Sequence, residues 1–357
     1  MFEVGGDIDY RNEISYFPIS NPYLSIYGQT APFPGVIIHG IDLSITSSAH
    51  DVIIQHIKSR PGDWGDYDDK VSRDAFSIYS YNVILDHCSA SFAPDEQISL
   101  TPGSHDITIS NCLVSHPFDE VFHGAQKGVY IDGEYNFSYV KNLIAYNRDR
   151  SPSVRSTSYA GINNMNYIPV DFIGAPRIRE NPDGSSVYIQ SHIGNYYVLG
   201  VDVDIDVYKA CGRIYDGVDP ASSIYFSDNI CQMSIENPGN SDYDNIVDDV
   251  GVNKPSQSPL DLSLYNILPA ENVEDYIMEN VGAFNWNRDH YDDWVVTNVA
   301  QRTGGGTADT YSELPSGALQ YYSETSHTLN IPSNPHGDDD GDGYSNLEEW
   351  VFDLGNQ

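Results

Sequence analysis

The chain has 357 residues, with 52 acidic against 17 basic side chains and a formal charge of −35. Its 40% apolar content suffices for a core and excludes wholesale disorder, and the lack of any run of ~18 apolar residues excludes a membrane-spanning helix. The charge excludes a general nucleic-acid binder, which needs a basic footprint, and suits a protein that holds divalent cations or works in salty surroundings.

The 27 Tyr, 29 Gly and 20 Pro favour an all-β extracellular protein over a helical one. Met1 is followed by Phe2-Glu3-Val4-Gly5-Gly6, which lacks the basic region and apolar run of a secretory signal. Secretion is still the expected setting, as a mature chain or by another route, and a virion-associated protein is the alternative. Four cysteines, Cys88, Cys112, Cys211 and Cys231, are too few for a disulfide framework and read as small buried hydrophobes.

Three segments align one under another: DVIIQHIKS from Asp51, NVILDHCSAS from Asn82 and DITISNCLVS from Asp106, with FSYVKNLIAY from Phe137 as a looser copy. Each of the first three opens on Asn or Asp and continues through β-favouring residues. Their starts lie 31, 24 and 31 residues apart. Shorter strand-like runs from Ala75, Gln97 and Gly128 fall between them. Self-similarity at ~20–50 residues with short strands means a solenoid or a propeller, and the Asn-Gly hairpin turns of propeller blades are missing. The expected fold is therefore all-β, a single-stranded right-handed parallel β-helix in which His56 stacks on His87 and Cys88 on Cys112. The pattern continues through 186–208 and 221–232.

Residues 269–302 read as two short amphipathic helices lying along the outside or across the end of the solenoid. The expected organisation is a β-helix domain over 1–302 including that helical flank, a linker-like segment over 303–337, and a calcium-binding tail over 338–357. In the tail, Asp338, Asp340 and Asp342 fill positions 1, 3 and 5 of an EF-hand loop, with Gly343 sixth. Tyr344 supplies the backbone carbonyl at the seventh position, Asn346 stands at the ninth and Glu349 at the twelfth. One loop without a partner suits a structural clamp better than a sensor.

Eight runs resemble, in order, pectate lyase-like proteins of polysaccharide lyase family 1: GQTAPFPGVIIHG from Gly28, RPGD from Arg60, DAFSI from Asp74, NVILDHCSAS from Asn82, PDEQISL from Pro94, RSPSVR from Arg150, GNYYV from Gly194 and VGAFNWNRD from Val281. The match covers roughly 1–303. What it implies is a pectin lyase-like solenoid and calcium-dependent β-elimination of polygalacturonate, an acidic polysaccharide. By resemblance, Asp86 and Asp95 are the calcium ligands, Arg150 stands where the base is expected, and Arg155 binds the uronate carboxylate. Lys127 matches the family's substrate-binding lysine, and Arg148 joins the same basic group. Where the family has another carboxylate, four residues after Asp95, this chain has Ser99; Glu96 or Asp74 would compensate. Arginine is an awkward base because its solution pKa exceeds ~12, so an alkaline optimum is expected.

Family members carry a capping stretch before the strand equivalent to 2–9, where this chain begins; a tail, a second subunit or another protein is expected to cover that coil of an otherwise monomeric molecule. Two other readings stay open. One is hydrolysis by carboxylates such as Asp95, Glu96, Asp119 and Glu120, although adjacent acids on a strand point to opposite faces. The other is a non-catalytic glycan-binding or virion tail protein, with Asp86 an ordinary strand aspartate.

Overall fold

The computed structural model describes residues 1–10, 16–62, 73–118, 126–168, 177–179, 187–199, 212–215, 217–232, 247–248, 251–308 and 310–355. Strands advance in threes, each feeding a different sheet, so every third strand pairs in parallel. The first sheet runs from Val4–Asp9 to Ile230–Gln232, the second from Tyr16–Ile19 to Val247–Asp248, and the third from Leu24–Tyr27 to Ser223–Ser227. This is the parallel β-helix that the repeat predicts.

Alternation along each strand fills the interior. In the third sheet Val52, Val83, Ile107 and Phe137 stack in one buried row, and Ile54, Leu85, Ile109 and Tyr139 in the next. Each such side chain contributes roughly 1.5–3 kcal/mol by leaving water. The repeated Asx residue has a backbone reason. Asp51, Asn82, Asp106 and Asn136 hold φ of 54°, 52°, 53° and 58°, a region that Asn and Asp tolerate better than most side chains. The fourth copy therefore starts at Asn136, one residue before the Phe137 of the alignment. Asn82 donates to Asp51 at 3.1 Å and Asn136 to Asp106 at 2.7 Å, tying coils together at the surface.

An internal ladder went unread in the sequence. Asn142, Asn164, Asn195 and Asn229 stack inside the corner between the third and first sheets. Each side-chain oxygen accepts from the backbone N–H of the preceding coil's ladder residue, Cys112, Asn142, Asn164 and Asn195, at 2.8–3.0 Å. Each amide group donates to a buried carbonyl, those of Ile109, Tyr139, Gly161 and His192. Buried polar groups are thus paired turn after turn. The expected stacks also form: the His56 and His87 rings lie 5.0 Å apart, and burial together with the neighbouring Cys88 thiol pushes the Cys112 thiol up. Both thiols are free, but Cys231 is disulfide-bonded, which corrects its reading as a simple buried hydrophobe.

Helices α1 (Val273–Asn280) and α2 (His290–Gln301) lie along the outside of the first sheet, burying Val273, Ile277, Val295 and Val299 against Leu113, Leu143 and Met165. Asp289 caps α2 by accepting from Tyr291 and Asp292 N–H, both at 3.0 Å, and also pairs with Arg60 at 2.8 Å. Asp292 pairs with Arg60 at 2.9 Å and accepts from Ser89 at 2.6 Å. This fully buried network fixes the flank on the solenoid. Among the described residues no helix is long and apolar enough to cross a membrane.

The segment read as a linker is instead a strap. Tyr146 donates to the Thr303 carbonyl at 2.8 Å, Tyr311 packs on Phe92 and Phe118, and Thr325–Ser326 pairs antiparallel with Val4 and Gly5. His327 N–H then donates to Glu3 at 3.0 Å. The chain's own tail thus pairs with the edge strand of the first sheet at Val4 and Gly5. Helix α3 (Asn346–Gly355) follows, with Val351 buried and contact to the 3-10 turn Gly28–Thr30.

Candidate active site

Ser77, Ser99, Tyr130 and Ser153 share one register across the second sheet. Just upstream, where each coil turns into that sheet, successive coils place Asp74, then Asp95 with Glu96, then Lys127, then Arg150. Two acidic coils are followed by two basic ones. Single carboxylate oxygens of Asp74, Asp95 and Glu96 all lie within 4.8 Å of one another. Lys127 Nζ pairs with Asp95 and stands 3.8 Å from Glu96, while Arg150 Nη1 pairs with Glu96. The Arg150 guanidinium also lies over the Tyr130 ring, 4.3 Å from its centroid. Burial holds Arg150 below the ordinary guanidinium value, although Asp95 pulls it upward.

The acidic side reaches one coil further than the sequence suggests. Ser77 Oγ lies 3.0 Å from Asp74 Oδ2 and 2.6 Å from Asp42 Oδ2. Burial and mutual repulsion push both carboxyls up to about 7, Asp42 against Asp74 and Asp74 against Asp95. Asp74 was legible only as a substitute ligand, and Asp42 not at all. The missing signal was register, since the acids stack only after the coil lengths are known.

Asp86 does not join this group. It ends the strand Tyr81–Asp86 in the third sheet, and the first-sheet strand Ser89–Ser91 separates it from Asp95. Its carboxylate accepts from His87 at 2.9 Å, Ser110 at 2.7 Å, Asn111 at 3.1 Å and Gln55 at 3.0 Å. Burial would raise it, but those bonds outweigh burial and hold it well below the usual carboxylate range. The expected Asp86–Asp95 pairing is therefore corrected: the acids that meet from successive coils are Asp74 and Asp95.

Arg155 lies on the same outer face as Tyr130, donating to the Tyr130 hydroxyl at 2.9 Å and to Asp132 at 3.3 Å. Arg148 stands in the same turn, its backbone N–H bonded to the Gln126 carbonyl at 3.1 Å. Ser99 is buried. Asp119 and Glu120 lie outside the described residues.

In the tail, single oxygens of Asp338, Asp340 and Asp342 also lie within 4.8 Å of one another, all exposed. Gly341 and Gly343 hold φ of 79° and 99°, letting the chain wrap so that the Gly341 and Gly343 N–H groups donate to Asp338 at 2.7 and 3.0 Å. Desolvation and the nearby Asp340, Asp342 and Asp338 raise the Glu349 carboxyl, as a twelfth-position acid facing the loop should be. Asn346 accepts from Asp339 N–H at 3.1 Å, and Tyr344 N–H donates to Asp342 at 2.9 Å.

No family model matches the chain. It is 30% identical over 211 residues to "Probable pectate lyase C" of Aspergillus oryzae, covering 58% of this chain and 46% of the relative. The protein of the same name from Emericella nidulans is 26% identical over 295 residues, covering 79% of this chain and 61% of the relative. Over the matched residues the chain is similar to these pectate lyases. A solved pectate lyase described for its substrate specificity and anti β-elimination mechanism superposes with a TM-score of 0.50 at 15% identity, covering 79% of this chain and 70% of that one. Another, from Acidovorax avenae, gives 0.50 at 14%, over 71% and 64%. These structures bear on the fold alone, a right-handed parallel β-helix. The chain spans about half the length of the Aspergillus oryzae relative.

The Asp74–Asp95–Glu96 group offers only carboxylate oxygens, buried or half-buried, and burial with the nearby Asp95 charge raises the Asp74 carboxyl, a set that suits a hard divalent cation such as calcium.

Proposed function

We propose that the pectate lyase-like chain is a calcium-dependent polysaccharide lyase that cleaves polygalacturonate by β-elimination, with Arg150 as base. The observation that carries this reading is the juxtaposition of three clustered carboxylates with Arg150 and Lys127 on neighbouring coils. Elimination takes the proton α to a uronate carboxylate and then expels the glycosidic oxygen. A calcium ion held by Asp74, Asp95 and Glu96 supplies charge neutralisation for that carboxylate.

The chain's residues do the rest. Lys127 and Arg155 bind uronate carboxylates by charge-assisted hydrogen bonds, and Arg148 adds positive charge to the same turn. Arg150, desolvated and stacked on Tyr130, gives up its proton more readily than a solvated guanidinium and can then take the sugar's C5 proton. Asp95 and Glu96 pair with Lys127 and Arg150, and these two carboxylates with Asp74 would hold the cation, leaving Lys127 and Arg150 beside it to face the substrate. Asp132 anchors Arg155 from behind, which fixes the direction of its guanidinium. The exposed loop of Asp338, Asp340, Asp342, Tyr344, Asn346 and Glu349 is a second calcium site that stiffens the tail. Oxidised Cys231 supports a secreted, extracellular setting.

The test is ultraviolet absorbance of unsaturated product from polygalacturonate, with calcium or with chelator. Product only with calcium is expected, and Arg150→Ala should lower the rate at least about 10²-fold without loss of fold. New reducing ends without that absorbance would select hydrolysis, and neither signal would select a non-catalytic glycan binder.

A further inference from the structure

Rings at the corner between the second and third sheets stack one per coil. His50 lies 5.0 Å from Tyr81, Tyr81 lies 4.9 Å from His105, and His105 lies 4.8 Å from Tyr135, with interplanar angles of 10°, 10° and 19°. The stack stops at Tyr135. The next coil pairs Tyr159 with Phe137, and the same register brings Thr157, not a ring, beside Tyr135. One face of Tyr135 is therefore packed on His105, while the other borders an open cavity of about 420 Å³. The side chain is 39% exposed.

Pro102, Ser156 and Thr157 line the cavity with Tyr135, and Asp132 and Glu134 bring two carboxylates to it. Asp132 Oδ2 is engaged by the Tyr130 hydroxyl at 2.8 Å and by Arg155 at 3.3 Å. Its other oxygen and the Glu134 carboxylate accept no hydrogen bond from the described residues. Gly133 in the lining has no room for a side chain, since a Cβ there would meet the buried Phe137 ring and lie 2.6 Å from the buried Ser104 hydroxyl.

We infer that this cavity is an accessory binding site for a neutral sugar residue. Its size falls within the ~300–1,000 Å³ of small-ligand clefts. A sugar presents a flat C–H face to the free side of Tyr135 and adjacent hydroxyls to the two carboxylates, which act as acceptors. Those same carboxylates repel a uronate. The Asp132–Arg155 pair is the wall between the two environments, basic toward the cleft and acidic toward the cavity. For the polymer's identity the inference rests on the lyase reading, under which the cavity takes a neutral branch or neighbour of a polygalacturonate chain.

The experiment titrates the full chain calorimetrically with a galactose tetrasaccharide, an arabinose tetrasaccharide and a galacturonate tetrasaccharide. At least one neutral probe should bind, Tyr135→Ala should weaken it about three- to tenfold, and Tyr135→Phe should retain it. Release of unsaturated product from linear polygalacturonate should be unchanged in both variants. Absence of neutral binding, or equal affinity in Tyr135→Ala, overturns the inference even where elimination proceeds. Neutral binding that depends on Tyr135 in a chain that eliminates nothing would uphold the cavity and sink the lyase reading instead.

Discussion

Asp42 and Asp74 both start from 3.8 and are pushed up to about 7, so the folded chain favours their protonated forms. The stability this contributes is complete below about pH 4 and is lost as pH rises through 7. Buried His116 and His192, pushed down to about 3, act in the opposite sense over part of that window. The comparison must therefore be between variants. In chelator, Asp42→Asn should gain stability over the parent progressively from about pH 4 to 7, on the order of 1–3 kcal/mol, by thermal denaturation. A pH-independent difference would remove the Asp42–Asp74 repulsion from the account. Asp86 belongs to another class. Asp86→Asn should cost roughly 1–3 kcal/mol, because it weakens the bonds from His87, Ser110, Asn111 and Gln55. Calcium affinity at the cluster should not move; a large loss there would return Asp86 to the metal site. The V-I-L-D-H run identified the strand but not its sheet, which is why its aspartate was misplaced.

Among the elements, the third-sheet strands were the most legible, because alternation and the leading Asx residue repeat in every copy. The second-sheet strands were visible only as short runs, and their pairing depends on coil lengths that periodicity does not give. The asparagine ladder shows the same limit. Its members lie 22, 31 and 34 residues apart, so no fixed period marks them. Asn164→Ala should cost about 2–4 kcal/mol, since it removes the acceptor of the Asn142 N–H and the side-chain donor to the Tyr139 carbonyl and to Asn195 Oδ1 inside the corner. Urea denaturation measures it, and a loss below about 1 kcal/mol, the ordinary value of one hydrogen bond, would mean that water replaces the ladder.

At the scale of the molecule, the strap is the feature that joins the parts. It runs from Thr303 back to Val4, so the tail with its acidic loop is carried to the N-terminal coil and α3 rests on Gly28–Thr30. Asp342→Ala should lower thermal stability in calcium while sparing the rate of elimination, because the loop is far along the chain from Arg150 and shares none of its contacts. A collapse of activity with unchanged stability would contradict a clamp. The sequence alone determined the stacked-coil architecture, the two helices of the flank and the residue types of both carboxylate groups, since side-chain alternation and ligand spacing are local properties. Which acids share a site, that a polar-looking segment closes the first sheet, and where a ring stack ends beside a cavity were decided only by tertiary structure. Those facts depend on register between coils, and register is set by how much chain each corner takes up before the next strand pairs.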